Sequence, residues 1–183
     1  MKKCVFSFLA LLAAASLGIP TEASAQGIYF GAGATFPTGD YGNYAKTGYV
    51  GVAGVSFSVG PAGLSVFGEG FYGQNSHSDV DGDKTYPYGG MAGLLYDLAP
   101  ENEGGIYFFG QLGAMVHKYG SDEFEETSET GFGFGGGAGY GFPLGGGTEI
   151  FVEGRYMQGN FDYENTTFFG LVGGVALTLG GGS

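Results

Sequence analysis

Three charged residues stand in the middle of runs that are otherwise apolar or glycine-rich: Glu69 in GLSVFGEGFYGQ, and Glu153 and Arg155 in TEIFVEGRYMQG. Two carboxylates and a guanidinium can do acid/base work or lock into an ion-pair network. The chain has two histidines. His77 lies between Ser76 and Ser78, and with nearby carboxylates it offers the residue types of a serine–histidine–carboxylate centre. Neighbours on one loop cannot by themselves place nucleophile, base and orienting group in line, so no catalytic residue is assigned. Asp79-Val-Asp81-Gly-Asp83 begins like a calcium loop, but Lys84 stands at the required glycine and Gly90 at the bidentate glutamate. Gly131, Gly133 and Gly136 spell G-x-G-x-x-G with no helical pattern behind them, which removes the dinucleotide reading. No metal or cofactor site is assigned. The clustered loop acids could still hold divalent cations loosely.

Composition narrows the classes further. With 6 basic against 18 acidic residues and a net charge of −12, the chain has no basic patch for phosphate, which excludes nucleic acid. Lys2 and Lys3 precede the apolar run Val5 to Leu17, and Ala23-Ser24-Ala25 supplies a small-x-small cleavage site. This predicts a secretory signal peptide over 1–25, removed before Gln26, and one domain over 26–183. The only cysteine, Cys4, would leave with the leader, so the exported chain relies on pairing and packing. Beyond the leader no apolar run is long enough for a spanning helix, so any membrane insertion must be by strands.

Such strands are what must position the charges. Period-two alternation predicts eight of them, over 27–36, 48–59, 63–74, 86–98, 104–117, 131–142, 148–159 and 167–179, joined by connections that alternate long and short. The last, TFFGLVGGVALTL, is greasy on one face and mostly small on the other. Long and short connections falling at opposite ends of a meander, with tyrosines and phenylalanines near strand ends, predict an eight-stranded antiparallel up-and-down transmembrane β-barrel.

Parity then sorts the side chains. A charge on the lipid face at the midplane costs roughly 2 to 4 kcal/mol for arginine, so Glu69, Glu153 and Arg155 are placed inside, with Gln111 on the same inward parity. Phe67, Phe71, Tyr107, Phe109, Met115, His117, Phe151 and Met157 join them. The sixth strand carries glycine at Gly131, Gly133, Gly135, Gly137, Gly139 and Gly141. An eight-stranded barrel is just wide enough for interior side chains to fill it, so this bare face makes room for bulk from strands three, five and seven.

The segments FPTGDYGNYAKTGY and FVEGRY and the terminal strand together resemble the outer-membrane β-barrel domain family of the OmpA/OmpX type, over residues 26–179. The ending Gly174-x-x-Leu177-x-Leu179 resembles the C-terminal signal read by the barrel-assembly machinery. Here it is followed by Gly-Gly-Gly-Ser, where that family commonly ends in an aromatic residue. The resemblance implies an outer-membrane location, with outer-membrane lipid and the assembly machinery as partners. The expected role is a monomeric, non-enzymatic barrel with a filled lumen and acidic extracellular loops. Two other readings stay open: a conduit for small hydrophobic molecules along the glycine wall beside Phe67, Phe71 and Phe109, and a lipid-modifying enzyme.

Overall fold

The terminal strand closes the fold. In the computed structural model, which describes residues 26–59, 63–78, 82–99, 104–120, 127–162 and 165–179, it pairs antiparallel with the first strand from Gln26 opposite Leu179 to Pro37 opposite Phe168. The strands are β1 (Gln26–Pro37), β2 (Gly48–Ser58), β3 (Leu64–Ser76), β4 (Lys84–Asp97), β5 (Ile106–Gly120), β6 (Thr127–Gly145), β7 (Thr148–Asn160) and β8 (Thr166–Leu179). Each pairs antiparallel with its neighbours in chain order, giving a closed eight-stranded up-and-down barrel. Closure leaves no strand edge unpaired, which is what a sheet inside hydrocarbon requires. The expected leader, residues 1–25, lies outside the described residues.

The end that carries Gln26, Leu179 and the β6–β7 turn is called the near end. That turn runs through Gly145, Gly146 and Gly147 at φ 85°, 62° and 76°, the left-handed region in which only glycine is unstrained, after a register shift at Pro143. At the far end the strands run past the limits expected from alternation. Val116 to Tyr119 pair with Thr127 to Thr130, so much of the expected acidic loop over 118–130 is a hairpin extension, and β4 begins at Lys84. Outside the membrane a ladder can be polar on both faces, so its sequence carries no alternation to read. The expected contrast of long and short connections is accordingly reduced.

Large apolar side chains point outward from every strand, among them Phe30, Val55, Tyr72, Leu94, Phe108, Phe134, Val152 and Leu171. An apolar surface continuous around the whole barrel is a lipid-facing wall and not the exterior of a soluble barrel. Between its bulky rows runs a waist of small outward residues. Ala32 faces both Gly51 and Gly173, Ala53 faces Gly70, Gly70 faces Gly90, Gly110 faces Gly136, and Ala138 faces Gly154. A Cβ added at Gly68, Gly110 or Gly154 would touch nothing, so packing does not demand these glycines. The core lies inside the barrel, where Val50, Val52, Phe71, Met91, Met115, Phe151, Met157, Phe168 and Val172 are buried.

Candidate functional site in the lumen

β3 and β7 lie on different sides of the barrel, yet period-two alternation turns Glu69, Glu153 and Arg155 toward one another across the lumen. Arg155 is 3% exposed, Glu69 5% and Glu153 6%. The guanidinium grips Glu69 in a fork, Nη1 donating to Oε1 at 2.6 Å and Nη2 to Oε2 at 3.0 Å. It also donates from Nε to Glu153 Oε1 at 2.8 Å, and Nη2 shares that oxygen. Tyr29 Oη donates to Glu69 Oε2 at 3.2 Å and Tyr107 Oη to Glu153 Oε2 at 2.9 Å. The Phe109 ring lies under the guanidinium, 5.4 Å from its centroid. Every carboxylate oxygen is hydrogen-bonded, and the group carries two negative charges against one positive. Such an arrangement can brace the walls and block the bore, because parting the pair would strand buried charge.

Gln111 does not join this group. It lies further along the lumen opposite Gly135, and its Nε2 donates to Met157 Sδ at 2.9 Å. Its Oε1 is buried without a hydrogen-bond partner. The six glycines of β6 face the bulk of other strands. An added Cβ at Gly133 would lie 2.5 Å from Met91 Cε, and one at Gly135 2.6 Å from Met157 Sδ. At Gly137 it would lie 2.9 Å from the Phe109 ring, at Gly139 it would collide with Tyr107, and at Gly141 with Glu149. Gly131 faces the backbone of Asn160 and the ring of Phe161. Of the terminal residues Gly174, Leu177 and Leu179, the first packs under the Phe151 ring and the others pair with Ile28 and Gln26 at the β1–β8 seam.

The far end holds a second layer that the sequence did not announce. The connection between β1 and β2 folds inward through a 3-10 turn, Tyr41–Asn43, and buries Tyr41 and Ala45. Its backbone is tied to β3 and the segment just beyond: Lys46 N donates to Ser76 O at 2.7 Å and Ser78 N to Tyr44 O at 2.7 Å. Rings close over the mouth: Tyr41 on Tyr44 at 5.5 Å, Tyr44 on His77 at 5.0 Å, His77 on Tyr119 at 5.3 Å and His117 on Phe161 at 5.6 Å. Beneath them Thr35, Asn75, Thr85 and Thr166 are fully buried. The inward parity of these polar residues near strand ends was the available signal.

This layer decides where the catalytic candidates stand. His77 Nε2 shares a 2.7 Å hydrogen bond with Thr85 Oγ1, and His117 Nδ1 one of 2.5 Å with Thr166 Oγ1. A hydroxyl against an imidazole is the pairing of a nucleophile and its base, but both threonines are sealed from solvent. Of the expected serines, Ser76 is exposed and Ser78 donates to Tyr44 O at 3.0 Å. Asp83 is buried beside Tyr119, whose hydroxyl donates to it, while Asp79 and Asp81 lie outside the described residues. Asp122, Glu123, Glu125, Glu126 and Glu164 also lie outside them. Among the described residues no group of three or more His, Cys, Asp or Glu is placed to hold a metal ion.

The family model described as "Outer membrane protein beta-barrel domain" matches residues 7–175. No curated protein sequence matches the chain. Neisserial surface protein A has a similar structure, with TM-score 0.67 and 14% identity over 85% of this chain and 97% of that one. Ail, the attachment invasion locus protein of Yersinia pestis, gives 0.58 and 16% over 84% and 99%. OprG from Pseudomonas aeruginosa gives 0.55 and 12% over 86% and 97%. At these identities the likeness is one of fold.

Proposed function

Because this chain belongs to the outer membrane protein β-barrel domain family, we propose that it works in an outer membrane as a closed, monomeric, non-enzymatic surface barrel whose acidic far end meets extracellular partners. Termini and short turns of such barrels face the periplasm, which puts the near end there and the far end outside. The observation that carries the reading is the crossing of the bore by Arg155, Glu69 and Glu153, with the Tyr41 layer as a second seal. Water-filled channels need about sixteen strands, and here Met91, Met115 and Met157 occupy the room that the glycines leave. Sealing of Thr85 and Thr166 supports a role without catalysis.

Outward charge indicates the kind of partner. Asp40, Glu129 and Asp162 stand at the far end, and eight of the other fifteen acids of the sequence fall in the far-end connections. Ail has been solved with a heparin analogue, sucrose octasulfate. A polysulfated ligand would be repelled by an acidic far end, so the partner proposed for this chain is cationic or uncharged. Outer-membrane lipid around the wall and the assembly machinery during insertion complete the proposed partners.

The test is conductance of the purified monomer in planar bilayers. No steady current is expected, and a reproducible single-channel conductance would overturn the closed reading. A lateral opening for the conduit would have to form at one break in the wall. The β3–β4 ladder has Tyr72 opposite Tyr88 and Asn75 opposite Thr85, but the pairs between them are missing because Pro87 has no N–H to give. Pro87 is itself buried and sits against Gly73, which fills the gap and supports closure.

A further inference from the structure

Below the triad the lumen widens into a cavity of about 220 Å³ that ends at Arg155 and opens at the near end, among Gly27, Ser56, Gly105 and Thr178. Its walls are aromatic, with Phe67, Tyr107 and Phe151 among them. Four carboxylates line it, at two depths: Asp97 and Glu149 at the mouth, Glu69 and Glu153 at the floor. The single guanidinium is engaged by the floor pair. Among the described residues neither Asp97 nor Glu149 has a cationic partner, and Asp97 Oδ1 accepts only a backbone hydrogen bond, from Ala99 N at 2.8 Å. The cavity therefore holds a formal excess of three negative charges, two at the mouth and one at the floor.

A bare metal ion does not suit this space. No three acids converge, and aromatic walls give a hard cation nothing to bind. Alkylammonium groups do suit it, since they are drawn to carboxylates and aromatic faces alike while their methylene stems pack on the rings. Along β7, Glu149 and Glu153 are four residues apart, about 13 Å at roughly 3.3 Å per residue. Charge at two such levels matches a slender chain with an ammonium at each end better than any single cation.

We infer that the near-end cavity is a binding site for a linear aliphatic polyamine, with one terminal ammonium at Asp97 and Glu149 and the other beside the floor carboxylates. This goes beyond the surface role proposed above. The two fail separately: a barrel that conducts and binds amine loses only the closed reading, and one that neither conducts nor binds loses only this site.

Spermidine is the probe, titrated at constant ionic strength into the folded full-length mature barrel in lipid nanodiscs, with calorimetry and amide chemical shifts as readouts. One-to-one saturation is expected, with shifts at Gly27, Gly105 and Ala176. Asp97→Asn with Glu149→Gln lowers affinity by about tenfold or more, the scale of losing charge-assisted contacts. Glu129→Gln with Asp162→Asn, at the opposite end, leaves it unchanged. Butylamine, with one ammonium, binds more weakly than spermidine. Absence of saturation, shifts confined to the far end, equal affinity in the mouth variant, or butylamine matching spermidine would each overturn the assignment. If the mouth variant fails to fold, the wild-type shift map and the amine comparison decide alone.

Discussion

Replacing Arg155 by methionine keeps an unbranched stem of similar path out to the δ position and removes the cation that Glu69 and Glu153 share. Four N–H donations disappear with it, and two carboxylates about nineteen-twentieths buried face each other with only Tyr29 and Tyr107 as donors. Breaking a buried ion pair by removing one partner costs about 3 to 5 kcal/mol, a large share of the roughly 5 to 15 kcal/mol that holds a domain folded. With a urea slope of about 2 kcal/mol/M, a loss of about 4 kcal/mol moves the unfolding midpoint down by about 2 M. The chain has no tryptophan, so circular dichroism and the mobility difference between unboiled and boiled samples are the appropriate signals. A companion variant, Glu69→Gln, Glu153→Gln and Arg155→Met together, removes all three charges and should recover most of the loss. Should Arg155→Met unfold within about 0.5 M of wild type, about 1 kcal/mol on the same slope, the triad is not bracing the lumen and the reasoning fails.

The two kinds of glycine give a second contrast. Gly137→Leu drives a side chain into the Phe109 ring and the backbone of Gly154 and should destabilise by about 1 to 3 kcal/mol, whereas Ala138→Leu on the adjacent lipid-facing position should be accepted; the reverse ranking would invert the inward assignment. Gly110→Ala, where an added Cβ meets nothing, should leave stability unchanged or raise it by up to about 1 kcal/mol, while Gly139→Ala, which collides with Tyr107, should lower it. Both pairs are read by urea titration in the same lipid.

The membrane-spanning part was legible because hydrocarbon punishes every misplaced side chain. One arginine on the wrong parity costs about as much as truncating a core side chain, so Glu69, Glu153 and Arg155 announced which face of β3 and β7 turns inward. What parity cannot give is depth. Gln111 shares the inward parity with the three charges, yet it stands opposite Gly135 and bonds Met157 instead, because the stagger between strands sets the level at which side chains meet. Above the membrane the constraint vanishes. The ladder from Val116 to Tyr119, the buried Tyr41 and the threonine layer follow from which loop folds onto which, and polar sequence records little of that. Composition also hid a distinction. Gly137 and Gly154 look alike in the sequence, but one is bare because a ring needs its space and the other borders open lipid.

The outward glycines bear on how the barrel sits mechanically. With bulky rows above and below and Ala32, Gly51, Gly70, Gly90, Gly136 and Gly154 between, its outline is that of a spool. Lipid chain ends, which meet at the bilayer centre, can settle into the hollow. Sliding the barrel along the membrane normal would then push a flange of phenylalanine and tyrosine into chains already packed around the neck. Resistance to vertical displacement and to tilt comes from both flanges at once, so the barrel is registered to the membrane at its middle as well as at its two interfaces.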